Sequence, residues 1–147
     1  MHLEGLGERD HGAVLERSIL ESALSDCVVA LQRLAEQLYQ RFPDVSQPRM
    51  NAFQRLGDLD RLWLAASGEG LDSWIEDGER SQLNLLYQRR HLLAHTDGVV
   101  DSRYLERSGD QVYRVGQRLV VHARDVRRLV ELTSRVGAGL RRTAPKR

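Results

Sequence analysis

Hydrophobic residues recur every three or four positions along most of this chain, which is the spacing of helices with one buried face. The pattern predicts long helices over about residues 13–42, 50–66, 80–95 and 124–141. Pro43 ends the first, Ser-Gly-Glu-Gly breaks the second, and Gly98 marks the exit of the third. Because the connections are short, we expect an all-α fold, a compact bundle of four to five helices.

The apolar stripes also predict which side chains form the core. In the first two helices these are Leu20, Leu24, Cys27, Val28, Leu31, Ala35, Leu38, Phe42, Phe53, Leu56, Leu59, Leu62 and Trp63. In the last helix they are Val126, Leu129, Val130, Thr133, Val136 and Leu140. The single cysteine, Cys27, lies on such a stripe and is predicted to be a structural thiol.

The shorter segments follow other patterns. Residues 71–75 and the sequence DSRYLER before Ser108 each predict a short helical piece. The sequence QVYRVGQRLVVH alternates apolar and polar residues around Gly116, which predicts a small β-hairpin before the last helix. We expect one domain over residues 1–147, with 1–12 and 142–147 flexible.

Composition places the chain among soluble globular proteins. It is 41% hydrophobic and 29% charged, and no apolar run approaches the length of a membrane span. Acidic residues among the first ten positions are unlike a secretory signal. We therefore expect a cytoplasmic protein without membrane association.

The net charge of +1 hides an uneven distribution. Residues 1–102 carry 10 basic and 17 acidic side chains, whereas residues 103–147 carry 12 basic and 4 acidic ones. This basic C-terminal third is compatible with a polyanion such as RNA, or with a solvated basic surface. Four arginines share a narrow arc of the last helix: Arg124, Arg128, Arg135 and Arg142. Because Glu131 lies among them, a salt-bridged face is favoured over a phosphate-binding one.

The most informative stretch is RRHLLAH, residues 89–95. Arg90 lies in the middle of an apolar arc formed by Leu83, Leu86, Tyr87, Leu93 and Ala94. A guanidinium cannot lose its proton, so its partial burial requires a carboxylate, carbonyl or phosphate partner. A structural ion pair and a phosphate site both remain open.

His91 and His95 are four residues apart and share one side of the helix. This spacing suits zinc, but the glutamate of the HExxH pattern is missing and no third ligand is evident, so we expect no metal and no other cofactor. Ordinary surface histidines are one alternative. Another is RNA cleavage, in which histidine transfers protons and arginine stabilises charge on the phosphate.

Geometry restricts that chemistry. Arg90 and His95 differ by five positions, which is about 140° around a regular helix. Their side chains therefore point in different directions unless the helix opens near its end. Alternatively, a second chain could bring its own copy of the same residues alongside. A symmetric homodimer would supply both an acid and a base from one motif.

The stretch RRHLLAH followed by TDGVVDSRY resembles the HEPN (higher eukaryotes and prokaryotes nucleotide-binding) superfamily. RNase members of that superfamily carry an arginine, a polar residue, three further residues and a histidine. Here those positions are Arg90, His91, Leu92 to Ala94 and His95. The similarity covers about 25 residues, and the remainder of the chain matches in its general plan of long helices.

The resemblance implies a dimeric helical bundle and a metal-independent endoribonuclease with its site in the homodimer cleft. The implied products are a 2′,3′-cyclic phosphate and a 5′-hydroxyl. Such proteins are commonly toxins, abortive-infection effectors or other antiviral defence components, so an antitoxin or regulatory protein is an expected partner beside RNA. Arg90 and His95 inherit the catalytic assignment.

Three further residues are candidates for supporting or substrate-binding roles. His91 stands where the family often has asparagine. Asp97 stands where one toxin branch has a tyrosine that its antitoxin modifies, so that control mechanism is not expected; Asp97 either caps the turn or orients a histidine. Tyr104 lies too far along to replace that tyrosine, and either packs or contacts a base. Two other readings stay open, a noncatalytic HEPN-like module that binds nucleotide or protein, and a structural helical adaptor.

Overall fold

The computed structural model describes the backbone of residues 2–147 and the side chains of residues 10–147. The helices are α1 (His2–Tyr39), α2 (Leu56–Ser67), α3 (Leu71–Trp74), α4 (Asp77–Thr96), α5 (Ser102–Ser108) and α6 (Ala123–Thr143), with a 3₁₀ turn at Ala52–Gln54. The predicted all-α fold is confirmed, as are the two short helical pieces. Within the described residues, no helix is both long enough and apolar enough to cross a membrane.

Three long helices form the centre of the bundle. Helices α1 and α6 run in the same direction: the Cys27 sulfur lies 3.1 Å from the Thr133 hydroxyl, and Leu34, further along α1, approaches Gly137, further along α6. Helix α4 runs against α6, because Arg89 near its end approaches Asp125 at the start of α6, with 3.6 Å between Nη1 and Oδ1. Helix α3 packs on α6 at Gly139, where the Trp74 ring occupies the space of a β-carbon.

The chain turns back at one end of the bundle around an aromatic cluster. Tyr39, Phe42, Phe53 and Trp63 pack there with ring centroids 5.2–6.3 Å apart. Most of the predicted core of α1 and α2 is buried, while Leu20, Cys27, Phe42 and Leu56 are partly buried at its edge. The aromatic cluster therefore joins the helical pattern of α1 to that of α2 across the proline-containing loop.

Two predicted core residues are exposed. Val130 is exposed because the buried face of α6 is turned toward Leu132, which is fully buried. Ala94 is exposed because the last turns of α4 bury Arg89 and Leu92, on the side covered by α5, instead. Both predictions were wrong for the same reason. The spacing of apolar residues predicts which face of a helix is buried, but the neighbouring elements decide where the edges of that face lie.

Helix α1 begins at His2, well before the predicted start near residue 13. Residues 2–12 are rich in glycine, which weakens a helix, but they contain no proline that would stop one. At about 1.5 Å per residue, the 38 residues of α1 span about 57 Å. The flexibility predicted for residues 1–12 and 142–147 stays a prediction; Met1 lies outside the described residues.

The predicted β-hairpin was wrong. Between Asp110 and His122 no strand is present; the segment instead pairs with the exit of α4. The Gly116 amide donates to the Val100 carbonyl at 2.8 Å, and the Leu119 amide donates to the Gly98 carbonyl at 3.0 Å. The alternation was real, but residues 116–119 find their backbone partners in residues 98–100 rather than in residues 111–113.

Candidate functional site

A polar stripe runs along the outer face of α4. Asn84, Gln88, His91 and His95 follow one another at spacings of four, three and four residues, within an arc of about 60°. The two histidines stack at the end of the stripe, with ring centroids 4.1 Å apart and ring planes at 46°. Both are exposed. Two groups that can transfer protons near neutral pH therefore stand side by side at the surface.

The histidine pair forms part of a wall between two clefts. The large cleft has a volume of about 670 Å³ and lies between α4, the 3₁₀ turn and the end of α5. The small cleft, about 360 Å³, lies between α4 and α5. Both are lined by Gln88, His91, His95 and Arg107, which we call the shared wall.

The large cleft is strongly cationic. Arg55, Arg90 and Arg107 line it together with both histidines. No carboxylate from the described residues lines it; Arg55 reaches outward to Asp58, with 3.4 Å between Nη1 and Oδ2. Arg90 and Arg107 have no acidic partner among the described residues, and guanidinium groups in that state are suited to bind an anion such as phosphate.

This environment acts on the protonation of His91. Partial burial lowers the pKa of His91 below its ordinary value, and the positive charges of His95, Arg107, Arg90 and Arg55 lower that pKa further. Each of these charges disfavours a second positive charge nearby. His91 is therefore neutral at neutral pH and able to accept a proton.

Replacing Arg107 by glutamine should raise the pKa of His91 toward the ordinary histidine value of 6.5. The physical reason is that a neighbouring positive charge is lost while the shape of the side chain is largely kept. Titration of the imidazole resonances by NMR measures the change. Arg114→Gln, at an exposed arginine outside both clefts, should leave the His91 titration unmoved. An equal pKa of His91 in the parent and in both variants would show that the charge of Arg107 does not act on His91.

Arg90 is half-buried, and its Nε atom is buried with no hydrogen-bond partner in the part of the chain that the structure describes. No carboxylate of the described residues forms an ion pair with it. The nearby Tyr87 hydroxyl is likewise buried and unbonded. Because Arg90 lines the large cleft and has no acidic partner among the described residues, its guanidinium is available to an anion bound there.

The structural ion pair belongs to Arg89, which the sequence reasoning did not single out. Its Nη2 lies 3.2 Å from the Asp110 carboxylate and its Nη1 lies 3.6 Å from that of Asp125. The guanidinium also packs over the Tyr113 ring, 5.8 Å from the centroid. Arg89 lies outside the apolar arc of α4, and its acidic partners come from distant segments, so no local pattern marked it.

Asp97 lies outside the linings of both clefts. It ends α4 in the left-handed conformation with φ 54°, and its side chain is 86% exposed. Arg118 donates to the Asp97 carboxylate at 3.1 Å and to its carbonyl at 2.9 Å. Asp97 therefore occupies the capping position and fixes the segment that follows α4.

Tyr104 is buried and lines the small cleft. Its hydroxyl donates to the Asp110 carboxylate, which also accepts from Arg89. Burial and the neighbouring carboxylate raise the pKa of the Tyr104 phenol to about 12. The hydroxyl is thus protonated and bonded within the chain, and the residue contributes apolar surface to the cleft.

Three arginines of the two clefts were not predicted: Arg55, Arg103 and Arg107. They come from segments outside α4, and they reach the clefts only in the folded chain, so spacing carried no signal for them. Gln88 was also missed, although it lies on the same stripe as His91 and His95. That stripe was the signal available in the sequence.

The basic face of α6 carries ion pairs, as favoured from the sequence. Arg128 and Arg135 both bind Glu79 and Glu131, and Arg142 binds Glu69 with 3.4 Å between Nη2 and Oε1. These arginines are therefore already neutralised by partners within the chain. The salt-bridged reading is confirmed for three of the four arginines.

Within residues 10–147, no group of three or more histidine, cysteine, aspartate or glutamate side chains is arranged to hold a metal ion. Comparisons with protein-family models, with curated proteins and with solved structures found no match to this chain. The candidate site therefore rests on its own geometry: two adjacent imidazoles, a half-buried guanidinium without a partner, and two further arginines in one cleft.

Proposed function

We propose that this protein is a metal-independent endoribonuclease of the HEPN type. The observation that carries the proposal is the large cleft, where Arg90, His91 and His95 meet without a carboxylate. A site for phosphate and a pair of proton-transfer groups are what cleavage by the 2′-hydroxyl of the substrate requires. No nucleophile from the protein is needed.

In the proposed reaction, one imidazole removes the proton from a 2′-hydroxyl, and that oxygen attacks the adjacent phosphorus. The bond from phosphorus to the 5′-oxygen breaks, and the second imidazole donates a proton to the leaving oxygen. His91, whose pKa is lowered, is suited to accept the first proton. His95 is assigned to donate the second because it lies beside His91 in the same cleft, with 4.1 Å between the ring centroids.

Arg90 has the role of binding the reacting phosphate. Its guanidinium can donate two hydrogen bonds as negative charge builds in the transition state. Helix α4 continues through Thr96, so Arg90 and His95 remain about 140° apart around it. Both residues nevertheless line the large cleft, which supports their acting on one phosphate bound inside it.

Treating the protein with EDTA and incubating it with single-stranded RNA tests this proposal. We expect cleavage to continue at the parent rate, with 2′,3′-cyclic phosphate and 5′-hydroxyl ends on the products. Those ends follow from attack by the 2′-hydroxyl, whereas attack by a metal-activated water typically leaves a 5′-phosphate. Loss of cleavage with EDTA, or 5′-phosphate ends, would contradict the proposal.

The active protein is proposed to be a homodimer, and the first half of α1 offers a surface for the second copy. Val14, Leu15 and Ile19 are 58–65% exposed there, and residues 10–16 are exposed on all sides. This half of α1 extends past the bundle at the end where His95 lies, since Arg118 contacts both Glu21 and Asp97. Apolar side chains on a projecting helix are stabilised by packing against the same helix of a second chain.

A protein carrying Leu15→Glu and Ile19→Glu should therefore be monomeric at micromolar concentration, where the parent should be a dimer. The two new carboxylates would be buried without partners when the two copies pair, which disfavours the dimer. Light scattering coupled to size-exclusion chromatography measures the mass. Val112→Glu, at an exposed valine elsewhere, is the matched control and should remain dimeric. A monomeric parent would contradict the dimer.

The cellular role proposed with this activity is that of a cytoplasmic toxin or defence effector, restrained by an antitoxin or regulatory protein. An active RNase without restraint would damage the RNA of its own cell. Induced expression of the parent should therefore arrest growth, whereas expression of the His95→Ala protein should not. Growth arrest by both proteins would show that toxicity does not depend on RNA cleavage.

The second candidate function is a noncatalytic module that binds nucleotide or a partner protein. The unbroken course of α4 favours it, because the helix does not open to bring Arg90 and His95 onto one side. The cationic cleft would then bind phosphate without cleaving it. Tight binding of RNA by the parent, with the RNA intact after long incubation, would favour this function over the endoribonuclease.

A further inference from the structure

The proposed reaction uses the shared wall and Arg90, and it leaves two features without a role. One is the small cleft, on the far side of the histidine pair. The other is the outer arginine of each cleft, Arg55 in the large cleft and Arg103 in the small one. The two clefts adjoin along the shared wall, so a single ligand can occupy both only by crossing the histidines.

The chemistry of both clefts fits a linear polyanion. Arg107 lines both clefts, so each cleft has one arginine of its own and shares another. Among the described residues that line the two clefts, the only carboxylate is that of Asp101 in the small cleft, and it accepts a hydrogen bond from the Tyr104 amide.

Arg103 is exposed, and within the described side chains it forms no ion pair. Arg55 is exposed and pairs with Asp58 at 3.4 Å, so a phosphate bound by Arg55 would compete with that carboxylate. A single nucleic acid strand carries one phosphate for each nucleotide, which matches cations distributed along a path rather than gathered at one point.

Each cleft also offers apolar surface beside its arginines. The Met50 side chain is 87% exposed at the large cleft, and Leu92 and Tyr104 line the small one. Unpaired bases can pack on such surfaces, whereas bases in a duplex are stacked inside it. Both volumes lie within the range of about 300–1,000 Å³ typical of small-ligand sites, which suits one or two nucleotides rather than a double helix.

We infer that a single-stranded RNA crosses the histidine pair from one cleft to the other, with Arg55 and Arg103 binding phosphates on opposite sides of the reacting phosphate. The inference rests on the proposed function for the position of the reacting phosphate. It assigns new substrate-binding residues, Arg55 and Arg103, and a substrate class, unpaired RNA with nucleotides on both sides of the cleavage point. Duplex RNA and single dinucleotides are then poor substrates.

Binding is measured first, with a 2′-O-methyl oligonucleotide that cannot be cleaved. Arg55→Gln and Arg103→Gln should each weaken binding by about fivefold, the effect of one lost hydrogen bond. Each should also reduce the slope of log affinity against log salt concentration by about 0.7, the value for one phosphate contact on a single strand. Arg61→Gln and Arg114→Gln, at exposed arginines outside both clefts, are matched controls and should bind as the parent does.

The direction of the path is measured with oligonucleotides that are extended on one side of a single ribonucleotide. Extension on the 5′ side should improve binding through one of the two arginines, and extension on the 3′ side through the other. Arg55→Gln should therefore abolish the benefit of one extension, and Arg103→Gln the benefit of the opposite one. If both variants affect the same extension, or if both bind as the parent does, the inference is overturned.

These outcomes are distinguishable from failure of the endoribonuclease itself. A parent that binds the uncleavable strand through both arginines, yet never cuts RNA, would overturn the proposed function and leave the binding path intact. A parent that cuts RNA while Arg55→Gln and Arg103→Gln bind normally would overturn the path and leave the endoribonuclease intact.

Discussion

Replacing His95 by alanine is expected to lower the rate of RNA cleavage by about 10²–10⁴-fold, the usual contribution of one proton-transfer group. His95 lines both clefts and lies 4.1 Å from His91, ring centroid to ring centroid. Its loss removes one member of the acid and base pair. Because the exposed imidazole supports no packing in the core, folding should be unaffected. Single-turnover cleavage of a labelled RNA measures the rate.

His122→Ala is the matched control, because His122 is an exposed histidine outside both clefts and away from the first half of α1. It should cleave RNA at the parent rate. Arg90→Ala should also lower the rate, by about 10²–10³-fold, as expected when a group that stabilises transition-state charge is removed. If His95→Ala and His122→Ala cleave equally fast, the acid and base assignment is wrong.

Replacing Arg89 by alanine is expected to destabilise the fold by about 3–5 kcal/mol, the usual cost of removing one partner of a buried ion pair. The Asp110 side chain is 1% exposed and the Arg89 side chain 10%. Without the guanidinium, the carboxylate of Asp110 stays buried with its charge uncompensated. Urea unfolding followed by circular dichroism should show a lower midpoint. Arg114→Ala, at an exposed arginine of the same loop region, should change stability by about 0.5 kcal/mol or less.

A double variant separates the ion pair from the packing of Arg89. Arg89→Met with Asp110→Asn removes both charges, so it should be more stable than Arg89→Met alone despite carrying two changes. If the double variant is no more stable than Arg89→Met, the loss comes from packing rather than from the unpaired charge.

The same network predicts how stability depends on pH. Burial alone would raise the pKa of Asp110, but hydrogen bonds from Tyr104 and from the Val112 amide, with the charge of Arg89, lower that pKa below 3.8 overall. A carboxyl with a lowered pKa in the folded state stabilises the fold above the unfolded pKa and loses that contribution as pH falls through the folded one. Parent stability should therefore fall below about pH 4, and this part of the fall should be absent in the double variant.

The sequence predicted α4 and α6 closely because their apolar spacing is strong, but α1 begins earlier than predicted, and α2 begins at Leu56 after a 3₁₀ turn rather than near residue 50. It also singled out Arg90 and the histidine pair, which line the large cleft, since an arginine inside an apolar arc and two imidazoles four residues apart are visible in a local pattern. The choice between Arg89 and Arg90 for the structural ion pair was not visible. It depends on Asp110 and Asp125, which approach α4 only in the folded chain.

The remaining differences have a similar cause. The alternation around Gly116 could not specify its pairing partner, because a hydrogen-bonding edge is satisfied equally well by its own hairpin or by residues 98–100. The clefts were not predictable either, because Arg55 and Arg107 belong to separate segments that converge on His91. Local spacing identifies side chains on one helix, whereas a cleft is built from several elements.

The proposed cleavage uses the 2′-hydroxyl of the substrate and the histidines of the large cleft. An oligodeoxynucleotide that contains one ribonucleotide probes both requirements in one assay, with EDTA present. We expect a single cut on the 3′ side of that ribonucleotide by the parent and by His122→Ala, and no cut at matched times by His95→Ala. An intact oligonucleotide, cuts at deoxynucleotides, or an equal cut by His95→Ala would show that the proposed reaction is wrong.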